Sequence, residues 1–251
     1  MRPIWALVKK ELLYLRAYPL DLVNYAVSPA FIVAPYIFFA KLFGFSDDLL
    51  DSVAVGLLLW YWLSTLLGGV ALGLEEEMEE GILETLLTHP LTILHLLLAK
   101  AIVVGLENLY ITGTMVAWFF LFGVPLRLPW PQFLGIVILC GLGLAGFMLA
   151  LAAAALFYKK PFALYDLVQW GLGALSGVTR PSRDLPRPLW LLSRAIPLSY
   201  GVEAARATIL GHSTEGILLL LGLGLLYFLL GQTLLKVAER RMKAMGTTGE
   251  F

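Results

Sequence analysis

Residues 53–90 read VAVGLLLWYWLSTLLGGVALGLEEEMEEGILETLLTHP. No charged residue occurs from 53 to 74, and a helix of about 20 mainly apolar residues is what crosses the hydrocarbon core of a bilayer. The next stretch carries Glu75, Glu76, Glu77, Glu79, Glu80 and Glu84, which belong in water. Ile82, Leu83, Leu86 and Leu87 recur at helical spacing and give that stretch an apolar side. We therefore read a membrane span followed by a short helix at 75–90 outside the bilayer, acidic on one side and apolar on the other, with Pro90 opening the way into a further span. A helix of this kind suits docking onto another protein. The plainer reading is a solvated acidic loop helix. A divalent-metal site fits poorly, because oxygen cages are built on turning loops.

The rest of the chain has the same character. Of its 251 residues 59% are hydrophobic and 14% charged, against about 25% charged in a soluble domain. A net charge of zero gives no basis for nucleic-acid binding. Six spans are predicted, at about 22–43, 53–74, 93–122, 132–158, 162–178 and 215–236, forming one all-α membrane domain over residues 1–251. The fifth is short and rich in glycine. Gly69 with Gly73, and Gly173 with Gly177, provide small-residue pairs that let helices approach closely in lipid.

Ahead of the first span, residues 1–18 place Ile4, Trp5, Val8, Leu12 and Leu15 at helical spacing and Arg2, Lys9 and Arg16 elsewhere. That pattern suits a helix lying in the membrane interface. No small-residue cleavage site follows the first span, so a cleavable signal peptide is not expected. An even number of spans puts both termini on one side. Arg2, Lys9, Lys10, Arg16, Lys100, Lys159, Lys160, Lys236, Arg240, Arg241 and Lys243 fall there, and their excess over the opposite side predicts cytoplasmic termini. Residues 179–211 are polar and proline-rich, then apolar but cut by Pro197. They are expected to form two short helices dipping into the outer leaflet. Irregular backbone at that depth must be shielded by protein or water.

Polar residues inside the spans are candidates for function, because ionisable groups in lipid are costly and turn toward protein or water. Glu107 and Asn108 fall in the third span, Asp166 and Gln169 in the fifth. Glu107 and Asp166 are expected to share one leaflet and line a common cavity; the alternative is structural contact between spans. The single cysteine, Cys140, is expected to be a packing residue. His89, His95 and His212 show no metal-ligand spacing, so no metal site is expected. No serine–histidine or paired-aspartate arrangement suggests a catalytic centre, and no GxxxxGK[ST] loop is present to bind ATP.

Gly81, Ile82, Leu83 and Glu84, preceded by a glutamate run and followed by Leu86, Leu87 and Pro90, resemble the coupling region of the type-two ABC exporter permease superfamily. Members carry a Gly-Thr-Leu-Glu-like tetrad there; Ile82 stands at the threonine position. The amphipathic start, the six spans, and a broken hairpin carrying Pro197, Leu198, Tyr200, Glu203 and Arg206 before the last span also resemble that family. The resemblance implies a half-transporter. Two permease chains, identical or sister, would pair, and two separate ABC ATPase subunits would supply ATP and Mg. Glu77, Glu80, Gly81, Leu83, Glu84 and Leu87 would couple to the ATPase. Residence in a bacterial inner membrane and export of a drug- or lipid-like molecule follow as expectations. Polysaccharide or glycolipid export and a non-transporting scaffold of the same fold are the alternatives.

Overall fold

The structure is a computed structural model, describing residues 2–81, 92–124, 126, 129–158, 162–178, 182–209 and 216–245. Helices account for all the regular structure among these residues. They are α1 (Arg2–Ala17), α2 (Pro19–Val27), α3 (Ala30–Leu42), α4 (Asp47–Glu79), α5 (Ile93–Leu121), α6 (Trp130–Tyr158), α7 (Phe162–Leu175), α8 (Arg187–Ser193), α9 (Pro197–Ile209) and α10 (Ile217–Met245), with a 3₁₀ turn at Ser182–Asp184. Among the described residues, five stretches are long and apolar enough to cross a bilayer: Pro19–Leu42, Leu49–Glu79, Ile93–Leu121, Trp130–Tyr158 and Ile217–Arg241. The expected fifth span, 162–178, is represented by α7. Its 14 residues reach about 21 Å, short of a hydrocarbon core of about 30 Å.

The first span begins earlier than expected and is broken. Pro29 lacks the N–H that would bond the Tyr25 carbonyl, so α2 ends at Val27 and α3 restarts at Ala30. The neighbouring helix answers the lost bonds. Thr114 Oγ1 lies 3.4 Å from the Tyr25 carbonyl oxygen, and Trp118 Nε1 donates to the Ala26 carbonyl at 2.8 Å.

The second span corrects the expected boundary in the other direction. Glu75 to Glu79 do not begin a separate helix but are the last turn of α4. Gly81, at φ 69°, ends it: the Glu80 and Gly81 N–H groups bond back to Glu76 and Met78, a left-handed cap that glycine accepts without a Cβ penalty. Residues 82–91 of the expected 75–90 helix lie outside the described residues. α5 then starts at a capping box in which the Thr92 hydroxyl lies 2.7 Å from His95 Nδ1, which gives His95 a structural task.

α6 is the central helix, packed on α10, α4 and α9. Its contact with α10 is set by glycines that the sequence reading passed over. A Cβ on Gly146 would fall 2.1 Å from the Tyr227 carbonyl, and one on Gly231 would fall 2.3 Å from the Gly146 oxygen. The backbones touch, which only glycine allows. The anticipated pairs work differently. Gly73 leaves room for the Lys100 side chain and Gly69 for Val104, while Gly173 accommodates Trp60 and Gly177, at φ 75°, turns the chain out beyond α7. Cys140 is fully buried and faces Gly201, a packing position.

α1 packs on α5 through buried Leu7 and Val8, with Ile4 and Leu15 half-buried and Trp5 and Leu12 exposed. Between α7 and α10 the chain forms the two short helices α8 and α9, divided just before Pro197. Pro197 rests against Gly143, which lies about 20 Å along α6 at 1.5 Å per residue. The turn of this hairpin therefore reaches the middle of the α6 helix.

Candidate functional site

Five helices contribute to one cavity of about 520 Å³. α5 enters it with Lys100, Glu107 and Asn108, and α4 with Tyr61, Thr65 and Glu76. α1 supplies Glu11 and Tyr14, α2 supplies Asp21, Asn24 and Tyr25, and α7 supplies Tyr165. Side chains at 61, 65, 68, 72 and 76 meet the same space because residues three and four apart share a helix face. Gly68 lets Tyr165 lie close to α4, and the Tyr165 hydroxyl donates to the Ser64 carbonyl at 3.2 Å.

One end of the cavity is floored by ion pairs. Lys100 Nζ lies 3.2 Å from Glu77 and 3.3 Å from Glu11. Lys10 pairs with Glu77 as well and stands 3.8 Å from Glu11. The Glu77 and Lys100 side chains keep only 4% and 8% of their surface exposed. A buried charge survives only when paired, so the network fixes α1 against the ends of α4 and α5.

Asn108, fully buried, forms part of the wall. Its Nδ2 donates to the Trp62 carbonyl at 3.1 Å, and its Oδ1 lies 2.6 Å from Thr65 Oγ1. Trp62 Nε1 donates to Thr112 Oγ1, whose hydroxyl donates to the Asn108 carbonyl at 2.7 Å. Every polar atom of that amide side chain thus has a partner across the α4–α5 contact.

Glu107 and Asn108 therefore share the cavity, as the sequence suggests, but Asp166 and Gln169 do not join them. Asp166 accepts a bond from Trp170 Nε1 one turn along its own helix, at 2.9 Å. Gln169 lies in the closely packed seam by Trp60 and Leu198. The expected Glu107–Asp166 cavity is corrected to one in which Tyr165, the neighbour of Asp166, is the contribution of α7. A short helix turns successive residues by 100°, and the sequence alone did not say which of the two faced α4.

Of the expected coupling residues, Glu77 is enclosed in the ion-pair floor, while Glu80 is exposed at the end of α4 beside the cap glycine Gly81. Leu83, Glu84 and Leu87 lie outside the described residues. The hairpin residues do come together. Glu203 accepts from Arg194 at 3.1 Å and from Ser182, and the Tyr200 hydroxyl donates to the Arg194 carbonyl at 2.9 Å. The Arg194 guanidinium stands 4.7 Å over the Tyr200 ring. Arg206, 7% exposed, donates to the carbonyls of Gly177 at 2.6 Å, Val178 and Ser52 at 3.2 Å.

Sequence reasoning missed Lys10, Glu11, Asp21 and the cavity tyrosines Tyr14, Tyr25 and Tyr165. One signal was available: a lysine inside an apolar run, as Lys100 is, requires an anionic partner. What the sequence could not supply was which carboxylate comes near.

A family model described as ABC-2 type transporter matches residues 2–210. No curated protein and no solved structure matches the chain.

Proposed function

The chain belongs to the ABC-2 type transporter family, and from that membership we propose that it is the permease subunit of an ATP-driven exporter of a small amphipathic or hydrophobic molecule. The family match carries the first part. This is a membrane-spanning permease component, not itself catalytic, that works with an ABC ATPase. In the proposed assembly two ATPase subunits, holding ATP and Mg, serve a pair of permease chains in a bacterial inner membrane, with both termini in the cytoplasm, a topology that needs the short α7 to complete a sixth crossing beside the five long spans. The exposed Glu79 and Glu80 at the end of α4, continuing into residues 82–90, support an ATPase contact on the side where the cavity has its ion-paired floor. Glu77 would act behind that contact, by tying α4 to α1 and α5.

The cavity supports the substrate class. Its volume of about 520 Å³ falls within the range of small-molecule sites, roughly 300–1,000 Å³, and it combines carboxylates with tyrosine rings. A polysaccharide would need a continuous polar passage instead.

The test is to purify the chain from its native membranes in mild detergent and identify what accompanies it, with Glu80→Lys, Glu84→Lys in parallel. The expected result is an ATPase with a phosphate-binding loop, present with the wild type and lost with the double variant. No ATPase with either form would remove the exporter reading.

A further inference from the structure

We infer that the cavity between α1, α2, α4, α5 and α7 is a binding site for an organic cation: an ammonium or phosphonium centre on an apolar or aromatic body. The inference narrows the substrate class of the function proposed above and rests on that reading for its role in export, though not for binding itself.

The observation that carries it is charge left uncompensated among the described residues. Glu11, Asp21, Glu76 and Glu107 line the cavity, with Lys100 as the one basic lining residue among the described residues. That lysine is already engaged by Glu77 and Glu11. Among the described residues, Asp21, Glu76 and Glu107 have no basic group within 4 Å and no side-chain hydrogen bond. With the floor included, five carboxylates face two ammonium groups. Glu77 itself, behind Lys100, keeps its second oxygen buried and without a hydrogen-bond partner. Glu11, Asp21 and Glu107 are half-buried and Glu76 is exposed; carboxylates converging beside low-dielectric walls focus a negative potential into the space between them.

The walls fit the remainder of such a molecule. Tyr25, Tyr61 and Tyr165 line the cavity, and aromatic faces attract a cation within about 6 Å of the ring centre. Val103, Val104 and Ile111 offer apolar contact. Asn108 adds no charge and its side chain is occupied by Thr65 and Trp62, so recognition falls to the carboxylates and rings. An anionic molecule of the same size would meet the same walls but an opposing field.

Two ions of equal shape and opposite charge test this directly. Tetraphenylphosphonium and tetraphenylborate are each titrated into the purified full-length chain in a neutral maltoside detergent, following tryptophan fluorescence and equilibrium dialysis. The expected result is saturable phosphonium binding without matching borate binding. Glu107→Gln and Asp21→Asn should each weaken phosphonium binding about tenfold, the size of one charge interaction at ~12 Å and an effective dielectric of ~20. Equal binding of the two ions overturns the proposal, and that comparison uses wild type alone, so it does not depend on a variant folding. Phosphonium binding unchanged in both variants overturns it as well. Adding phosphatidylethanolamine, with phosphatidylglycerol as control, identifies the source of the cation. Competition by the aminolipid alone assigns the site to a lipid amine, and no competition assigns it to a free organic cation; both keep the site. Because no ATPase is present, charge-selective binding stands even if the co-purification fails, and an ATPase can co-purify while charge selectivity fails.

Discussion

The ammonium of Lys100 stands 3.2 Å from the carboxylate of Glu77, with both side chains almost sealed from solvent. The two residues sit on neighbouring ends of antiparallel helices, and Gly73 leaves the lane through which the lysine passes. Removing Lys100 leaves the buried Glu77 with Lys10 as its remaining partner, so the cost is expected at the lower end of the roughly 3–5 kcal/mol for breaking a buried pair. Lys100→Met is therefore expected to lower the unfolding midpoint in detergent sharply. Lys100→Met combined with Glu77→Leu should recover much of the loss. If the double variant is as unstable as the single, the stranded-charge account is wrong.

The α6–α10 contact makes a second prediction. Gly146→Ala would drive a methyl into the Tyr227 backbone, which cannot yield as a side chain can. We expect a loss of about 3 kcal/mol, at the upper end for overpacking. Gly135→Ala, on the same helix with nothing within 4 Å of the new Cβ, should be neutral or gain up to about 1 kcal/mol. Comparing the two unfolding midpoints separates packing from helix propensity.

Arg206 joins α9 to the end of the α7 segment and the start of α4 through three carbonyls. A lysine ammonium lacks the planar fork that serves several acceptors at once. Arg206→Lys is expected to destabilise by roughly 2 kcal/mol and Arg206→Met by more, since each buried carbonyl left unmade costs about 1–3 kcal/mol. Proteolysis in the 179–186 region, measured against temperature, reads the loosening. Equal resistance in all three proteins would show that the hairpin is held by apolar packing alone.

Glu107 and Asn108 are adjacent in sequence and should behave oppositely. Asn108→Leu removes bonds to Thr65 and Trp62 and is expected to cost about 0.6–2 kcal/mol, the range for polar contacts between membrane helices, while leaving export selectivity unchanged. Glu107→Gln removes a carboxyl group with no ion-pair partner among the described residues, so stability should hold or rise while export of a cationic substrate from proteoliposomes falls. Selectivity lost with Asn108→Leu instead would move recognition onto the amide.

Much of this architecture was legible from the chain. Long uncharged runs bounded by proline, glycine and charge mark the helices, since the bilayer rewards length and apolarity directly. The hairpin break at Pro197 was readable for the same local reason: its ring removes a backbone donor. Those two features depend on residues near one another in sequence.

Where the reading failed, the deciding contact was remote. The break in the first span needed only Pro29, but its tolerance depends on Thr114 and Trp118 reaching from α5. Glu77 looks like its glutamate neighbours in the sequence, yet it alone is enclosed, because Lys10 and Lys100 arrive from two other helices. Asp166 and Tyr165 are one residue apart, and the rotation of α7 against Gly68 chose the tyrosine. Sequence by itself determined an all-helical membrane permease with an acidic end to its second span. Tertiary structure decided which charges are neutralised, which carboxylates are left facing a cavity, and which glycines carry helix contacts. Local composition sets a helix and its solvent, whereas pairing and packing depend on what the fold brings within a few ångströms.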